Sequence, residues 1–126
     1  MYLKLTEEAL VKNSNLFSTN VLRIVNDIPK GMVMSYGQIA LVCGNPRAAR
    51  QVGWVLSGLG RNRIIEDGIP WWRVVNKDGV ITIVDTGIIE PSSYEQKRLL
   101  ISDGVPFLGD FTVDIKRCRY IPDYTL

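Results

Sequence analysis

The sequence predicts a mainly α-helical fold with a small β wing, in the winged helix-turn-helix class. Two short helical patterns separated by Gly44 indicate the helix-turn-helix. Asp78-Gly79 between two short apolar runs indicates a β-hairpin beside the helices. The chain has 126 residues, of which 46% are hydrophobic and 22% are charged, as in ordinary globular proteins. We therefore expect one domain over residues 1–126, with residues 106–126 as a C-terminal tail.

The first helix is expected to begin at Asn15 or Ser18, either of which suits an N-cap, and to end at Asp27. The apolar residues of this segment recur at helical spacing, namely Phe17, Val21, Ile24, Val25 and Ile28. Pro29-Lys30-Gly31 then predicts a turn. Residues 1–13 show only a weak helical pattern and indicate either a helix or a loose arm.

Two further helices follow closely. Ser35 is a suitable N-cap for a helix over Tyr36–Cys43, and Gly44 suits the position just past its end. Asn45 then suits the N-cap of a third helix, with Pro46 in its first turn and an end near Leu59. The inward side of this third helix would carry Val52, Val55, Leu56 and Leu59. Another side would carry Arg47, Arg50, Gln51 and Trp54, which lie three and four residues apart.

The second half of the chain predicts the wing and a last helix. Arg61–Ile69 is irregular, and Arg73–Val75 and Val80–Val84 have the pattern of two hairpin strands. Ser92-Ser93-Tyr94-Glu95 is a capping-box pattern for a helix that stops near Asp103-Gly104. In the tail, alternating Phe111, Val113 and Ile115 indicate an edge strand or an extended cover.

Charge is distributed unevenly although the net charge is only +2. The stretch from Arg47 to Arg73 contains five arginines opposed within it only by Glu66 and Asp67, namely Arg47, Arg50, Arg61, Arg63 and Arg73. A local basic face on a nearly neutral protein fits a polyanion binder. The ordinary alternative is a solvated surface.

The chain has no histidine and only two cysteines, Cys43 and Cys118. These cysteines lack metal-ligand spacing, so we expect no metal and no cofactor, and reduced packing thiols rather than a disulfide. No apolar run has membrane-spanning length, and the N-terminus lacks a signal pattern. We expect a soluble protein of the cytoplasm, associated with the nucleoid, or of the nucleus if the source is eukaryotic.

The run Ile69-Pro70-Trp71-Trp72-Arg73 is the most unusual motif, because it puts two indoles next to each other. At the start of a strand, alternation would point the two rings in opposite directions, so that one enters the core and the other lines a pocket. Burial of both tryptophans for stability is the ordinary alternative.

Four motifs in order and at matching spacing carry a family resemblance: Ile28–Gly31, Ser35–Ala40, Gly44–Gly53 and Pro70–Val75. Over about residues 18–105 the chain resembles the DNA-binding domain of O6-alkylguanine-DNA alkyltransferases. Those enzymes carry Pro-Cys-His-Arg at the reactive site, where this chain has Pro70-Trp71-Trp72-Arg73. Tryptophan in place of the alkyl-accepting cysteine resembles the alkyltransferase-like proteins, although most of these keep a histidine at the position of Trp72. Some also have a basic residue after the hairpin, where this chain has Thr82, Ile83 and Val84.

The resemblance implies a non-enzymatic protein that binds duplex DNA containing O6-alkylguanine through the minor groove. It would flip the altered nucleotide and pass the lesion to nucleotide excision repair proteins. No residue would be catalytic, because Trp71 stands at the nucleophile position. We expect a monomer with no membrane partner.

The resemblance also implies roles for single residues. Arg50 would take the place of the extruded base, and Tyr36 would rotate the nucleotide by crowding its phosphate. The ordinary alternatives are a surface arginine and a tyrosine packed at a helix start. The remaining DNA contacts are expected from Ser35, which also suits an N-cap, and from Arg47, Ala49, Gln51 and Gly53.

The lesion pocket is expected to be formed by Tyr36, Pro70, Trp71, Trp72 and Arg73. For Arg73, bonds to backbone carbonyls or a nearby acid are an equal alternative. Arg61 and Arg63 would clamp the extruded strand or be solvated loop charges. Trp54 is interpreted as a packing residue.

Two other functions remain open at this point. One is a residual alkyltransferase that uses Cys43 or Cys118 as acceptor, with Lys116, Arg117 and Arg119 lowering the pKa of Cys118. The other is a sequence-specific helix-turn-helix regulator, usually dimeric and indifferent to alkylation.

Overall fold

A computed structural model describes residues 7–59, 67–81 and 91–124. Its elements in chain order are α1 (Glu7–Asp27), β1 (Met34–Ser35), α2 (Tyr36–Val42), α3 (Ala49–Trp54), a π-helical segment (Val55–Leu59), a 3-10 turn (Trp71–Arg73), β2 (Val74–Val75), α4 (Pro91–Ser102), β3 (Phe107–Gly109), β4 (Thr112–Val113) and α5 (Ile115–Cys118). Small sheets among helices confirm the predicted mainly helical fold.

Helix α1 supplies much of the first of two apolar clusters. Its buried residues are Val21, Leu22, Ile24 and Val25, followed by Ile28 just past its end. They pack with Ile39 of α2, Val52 of α3 and Val74 of β2. The predicted end at Asp27 is confirmed, but the predicted start at Asn15 or Ser18 is wrong. The helix already includes Glu7, because good helix formers extend the pattern toward the N-terminus.

The predicted N-cap of α2 is confirmed as a full capping box. The hydroxyl of Ser35 accepts from the Gln38 amide at 3.1 Å, and the Ser35 amide donates to Gln38 Oε1 at 3.3 Å. The helix ends at Val42, one residue before the predicted end. Gly44 then has a φ of 82°, a left-handed conformation that glycine adopts without strain.

The predicted start of α3 is wrong. The Ala48 amide donates to the Asn45 carbonyl at 3.0 Å, so residues 45–48 form a turn and α3 begins only at Ala49. Ala48 is the N-cap and offers no side-chain hydrogen bond. Pro46 and Arg47 therefore precede the helix instead of forming its first turn. The helical path then continues through Val55–Leu59, so the predicted end near Leu59 is confirmed.

The predicted hairpin between Arg73–Val75 and Val80–Val84 has the wrong pairing. Strand β2 pairs in parallel with β1, with Met34 opposite Val74 and Ser35 opposite Val75. The expected turn does form, because Asn76 Oδ1 accepts from the amides of Asp78 and Val80 at 2.9 and 2.8 Å. Beyond it Val80 bridges to Thr112 of the tail. Residues 82–84 lie outside the described residues.

The tail supplies an antiparallel hairpin of β3 and β4. This confirms a strand at Val113, whereas Ile115 begins α5 instead of extending it. Both elements join the second apolar cluster, which includes Val75, Leu100 and Val113. Helix α4, which the sequence predicts as the last helix, ends at Ser102 just before Asp103-Gly104, as predicted, and begins at Pro91, one residue before the predicted capping box. The short helix α5 that follows it is not predicted.

Residues after α5 lie along the start of the helix-turn-helix. The Val33 amide donates to the Cys118 carbonyl, and the Tyr120 amide donates to the Val33 carbonyl, both at 2.8 Å. Gln38 Nε2 donates to the Tyr120 carbonyl. The Tyr124 hydroxyl donates to Asp27 Oδ2 at 2.8 Å. The tail is therefore tied to α1, to α2 and to the segment between them.

In the described ranges no helix is both long and apolar enough to cross a bilayer.

Replacement of Gly79 by alanine is expected to destabilise the fold by about 2 kcal/mol. Gly79 has a φ of 82°, and a Cβ there would overlap the Val113 carbonyl oxygen. The backbones at Gly79 and Val113 cannot move apart freely, because the Val113 amide donates to the Gly79 carbonyl at 2.9 Å.

Gly104→Ala is the matched control for urea unfolding of the Gly79 variant. Gly104 has a φ of 85° but no atom within 4 Å of an added Cβ, so only backbone strain, about 1 kcal/mol, is expected. Equal losses of stability in the two variants would contradict the steric argument.

Candidate nucleic-acid interface

The exposed side of α3 and its preceding turn carries the residues predicted to face DNA. Arg47, Arg50 and Gln51 are exposed, whereas Val52 and Val55 on the opposite side are buried. No aspartate or glutamate occurs in the sequence between Asp27 and Glu66. The helix-turn-helix therefore presents arginine without a nearby acid in its own sequence, which favours a polyanionic partner.

Trp54 ends α3 on this same side, and the packing role predicted for it is wrong. Its side chain is 57% exposed. Position 54 is four residues after Arg50, so helical geometry puts the indole beside the arginine and away from the buried Val52 and Val55.

Tyr36 opens α2 and lies between the core and α3. Its ring is partly buried against the first apolar cluster, and burial raises the pKa of Tyr36. A Cβ placed on Gly53 would lie 3.9 Å from Cε1 of Tyr36, so the backbone of α3 passes close to this ring. The tyrosine thus stays protonated near neutral pH, and α3 and α2 approach each other at a residue without a side chain.

Ser35 and Ala49 contribute mainly to the local framework. Ser35 is buried, and its hydroxyl is occupied by the α2 capping box. Ala49 is half-buried at the first position of α3. The N-cap alternative for Ser35 is therefore confirmed, and a contact of either residue with DNA stays a prediction.

The double-tryptophan motif forms a 3-10 turn instead of the start of a strand. The Trp71 amide donates to the Ile69 carbonyl at 2.8 Å, and the Arg73 amide donates to the Pro70 carbonyl at 3.1 Å. The ring centroids of Trp71 and Trp72 lie 6.2 Å apart with planes at 89°. The predicted strand alternation is therefore wrong, and the two rings meet edge to face. Trp71 packs against the first apolar cluster and Trp72 against the second, each partly exposed.

Trp72 and Arg73 share one acceptor, Asp103. The Trp72 indole nitrogen donates to Asp103 Oδ2 at 2.9 Å, and Arg73 Nε donates to the same oxygen at 2.8 Å. Arg73 Nη2 reaches Asp103 Oδ1 at 3.3 Å, and Nη1 donates to the Ile28 carbonyl at 2.9 Å. The Arg73 guanidinium also lies over the Trp72 ring, 5.4 Å from its centroid. The alternative interpretation of Arg73 is therefore confirmed, because its guanidinium bonds a backbone carbonyl and a nearby acid.

Hydrogen-bond donors and positive charges around Asp103 favour the ionised form of its carboxyl group. Burial raises the pKa of this carboxyl group, but hydrogen bonds from Arg73 and Trp72 and the positive charges of Arg73 and Lys30 outweigh it. The net effect is a pKa below the ordinary value, so the carboxylate is ionised at neutral pH. The bonds of Asp103 to Trp72 and Arg73 form a brace, which fastens the tryptophan turn, Trp71–Arg73, to the end of α4. Gln96 adds to it by donating to the carbonyls of Trp72 and Val74 at 3.1 and 2.8 Å.

Asp103 and Gln96 are site residues that sequence reasoning missed. In the sequence, Asp103 indicates only the end of a helix, and Gln96 has no distinguishing signal. A largely buried arginine needs an acidic partner, and that need was the available signal. The sequence does not show which of its several acids lies next to Arg73 in the fold.

Neither cysteine is activated. Burial raises the pKa of Cys43. Burial, followed by the charge of Asp114, raises the pKa of Cys118 against the opposing charges of Arg117 and Arg119. The expectation that basic neighbours lower the pKa of Cys118 is therefore wrong. The Cys118 thiol is buried and donates to the Asp114 carbonyl at 3.3 Å.

Some predicted positions are not described. Arg61 and Arg63 lie outside the described residues, as do Thr82, Ile83 and Val84. Within the described segments, no three histidine, cysteine or acidic side chains are grouped so as to hold a metal ion.

The order of capped α2, arginine-bearing α3 and Pro70–Arg73 turn can be compared with known proteins. The family model of the 6-O-methylguanine DNA methyltransferase DNA-binding domain matches residues 16–105. The chain belongs to this family. The predicted resemblance to alkyltransferase DNA-binding domains is thereby confirmed.

Relatives of this alkyltransferase-type domain include proteins named for base flipping. The chain is 38% identical over 117 residues to a DNA base-flipping protein of Escherichia coli, covering 93% of this chain and 84% of that one. It is 34% identical over 110 residues to alkyltransferase-like protein 1 of Schizosaccharomyces pombe, covering 84% of this chain and 95% of that one.

A solved structure also shares the fold of this domain. The crystal structure of S. pombe Atl1 in complex with damaged DNA containing O6-carboxymethylguanine matches with a TM-score of 0.70 and 33% identity. The match covers 86% of this chain and 97% of that chain. The predicted helix-turn-helix fold is confirmed by this likeness.

Proposed function

We propose that this protein binds duplex DNA containing O6-alkylguanine and rotates the altered nucleotide into a pocket beside Trp71. It holds the nucleotide there without removing the alkyl group. The observation that carries this proposal is a partly exposed indole at the position of the reactive cysteine, on a turn braced by Asp103. The base-flipping name of the E. coli relative and the lesion-containing duplex in the Atl1 structure support it.

The described geometry fits the roles that the resemblance implies for α2 and α3. Arg50 is exposed on α3 and would enter the duplex through the minor groove to take the place of the flipped base, where a guanidinium can hydrogen-bond and stack. Tyr36 would crowd the phosphate of the rotating nucleotide. Gly53 of α3 lies next to the Tyr36 ring and follows Arg50 by three residues, so both proposed residues belong to the same part of α2 and α3.

The remaining site residues would supply phosphate contacts and the pocket wall. Arg47 and Gln51 are exposed on the arginine-bearing side and would contact phosphates. Pro70, Trp72 and Arg73 would shape the pocket behind Trp71, with Trp72 and Arg73 acting through Asp103. Flipping a nucleotide costs a few kcal/mol, and contact of a base with an indole returns about 1–3 kcal/mol. A lesion that pairs weakly is therefore selected.

Alkyl transfer is not part of the proposal. Tryptophan has no nucleophile suited to accept an alkyl group, and the thiols of Cys43 and Cys118 have raised pKa values. A bound but unrepaired lesion needs other enzymes to remove it. We propose that nucleotide excision repair proteins receive it, and that the protein acts as a monomer in the compartment that contains the DNA.

The test is a titration of two fluorescent duplexes of identical sequence, one with O6-methylguanine and one with guanine. We expect tighter binding to the alkylated duplex in at least two unrelated sequence contexts. Affinity for both should fall steeply with salt, because phosphate contacts release counterions. Preference for one sequence without preference for alkylation would overturn the proposal in favour of a regulator.

A second arm tests transfer directly. After incubation with DNA carrying a radiolabelled O6-methyl group, the label should remain on the DNA and none should appear on the protein. Label on the wild-type chain that is lost in Cys43→Ser or Cys118→Ser would establish a residual alkyltransferase and overturn the non-enzymatic part of the proposal.

A further inference from the structure

Trp54 is a large exposed side chain that none of the roles described so far uses. The other two tryptophans are partly buried on the apolar clusters, but 57% of Trp54 is exposed at the end of α3. Tryptophan is enriched at interfaces, so an exposed indole on the arginine-bearing side of α3 points to a partner that covers it. Its neighbours decide which partner fits.

Two arginines precede Trp54 on α3 and in the turn before it. Arg50 is one helical turn before it on the same side of α3, and Arg47 lies in the turn that precedes the helix. Acidic residues are absent from the sequence between Asp27 and Glu66. An exposed indole in a segment that carries arginine and no acid fits DNA, which combines phosphates with the apolar faces of bases and deoxyribose.

We propose that Trp54 is a second DNA-contacting residue, which packs its indole against the deoxyribose and base edge of the minor groove beside the lesion. This inference rests on the proposed function, in which Arg50 occupies the flipped position. Four residues of helix span about 6 Å along the axis, which is close to two base-pair steps of about 3.4 Å. With α3 lying along the groove, Trp54 would contact the duplex about two base pairs from the lesion, in the manner of the apolar wedges of minor-groove proteins.

The position of Trp54 predicts what it contributes. It lies away from the Trp71 turn in sequence and carries no charge, so it should add affinity for any duplex without reading the alkyl group or changing the number of phosphate contacts. It would differ in this from Trp71, which should act on the alkylated duplex, and from Arg47, whose removal should lower the salt slope by about one.

The test compares Trp54→Ala with wild type on alkylated and unmodified duplexes at several salt concentrations. We expect about tenfold weaker binding to both duplexes, with an unchanged preference ratio and an unchanged salt slope. Trp54→Phe should keep most of the affinity. Tyr94→Ala is the matched control, because Tyr94 is also aromatic and 57% exposed but lies on α4. It should bind both duplexes within twofold of wild type.

Acrylamide quenching of wild-type fluorescence gives an independent readout that needs no variant to fold. The strongly quenched component should belong to Trp54 in the free protein and should be shielded by unmodified duplex.

Two results would overturn the inference. One is binding of Trp54→Ala to both duplexes within twofold of wild type. The other is that Trp54→Ala loses only self-association, which would mean that a second copy of the chain covers the indole. If wild type lacks a preference for the alkylated duplex, the proposed function fails. Weaker binding of Trp54→Ala to unmodified duplex would still support the contact.

Discussion

Trp71→Ala is expected to weaken binding to an O6-methylguanine duplex by about 5- to 150-fold while leaving binding to the unmodified duplex within about twofold. The range corresponds to the 1–3 kcal/mol that contact of a base with an aromatic ring contributes. The effect should be selective, because the pocket is occupied only when a nucleotide has been flipped.

Trp71→Phe is the conservative control, and it should retain most of the preference because it keeps an aromatic face. Trp71 also packs against the first apolar cluster, so urea unfolding of each variant has to accompany the titrations. Equal weakening on both duplexes in a folded Trp71→Ala protein would show that the indole does not line the lesion pocket.

Asp103→Ala is expected to lower the free energy of unfolding by about 3–4 kcal/mol, which corresponds to a loss of roughly 10 °C in Tm. The substitution removes the acceptor of the Trp72 indole and the counter-ion of Arg73. The Arg73 side chain is only 15% exposed and would be left with a largely buried, unpaired charge.

Glu95→Ala is the control for Asp103→Ala, since it breaks the exposed pair of Glu95 with Arg98 and should change stability little. Asp103→Asn keeps an acceptor but loses the charge, so its stability should lie between wild type and alanine. Similar losses for Glu95→Ala and Asp103→Ala would contradict the view that Asp103 braces the tryptophan turn.

The same carboxylate gives wild type a defined acid sensitivity. The pKa of Asp103 is lower in the folded protein than its ordinary value of about 3.9, so its stabilising contribution is present above that value. The contribution is lost as the pH falls through the folded pKa. Urea unfolding between neutral pH and pH 3 should therefore show a shallower decline of stability in Asp103→Ala than in wild type.

Local chemistry made much of the fold predictable. The capping box joins Ser35 to Gln38, only three positions later, so the start of α2 follows from the sequence alone. The exposed and buried sides of α3 follow from helical spacing in the same way. Where two local signals competed, the prediction failed. Asn45 suits an N-cap, yet its carbonyl closes a turn, and α3 starts later.

Long-range pairing was not predictable from local patterns. Val74 and Val75 have the signal of a hairpin strand, but a parallel partner 40 residues away occupies their edge. Asp103 likewise reaches Arg73 only because α4 ends beside the tryptophan turn. For Trp54 the error was to apply the usual burial of tryptophan to a position where helical geometry points the side chain outward.

The tail hydrogen bonds to Val33 and Gln38 bear on how shortened versions of the protein would behave. A chain cut at residue 105, where the family match stops, would lose the partners of both backbone groups of Val33 and the acceptor of Gln38. An unpaired backbone edge next to a helix start is a site for intermolecular association. Such a truncated protein should aggregate before any loss of DNA recognition can be measured.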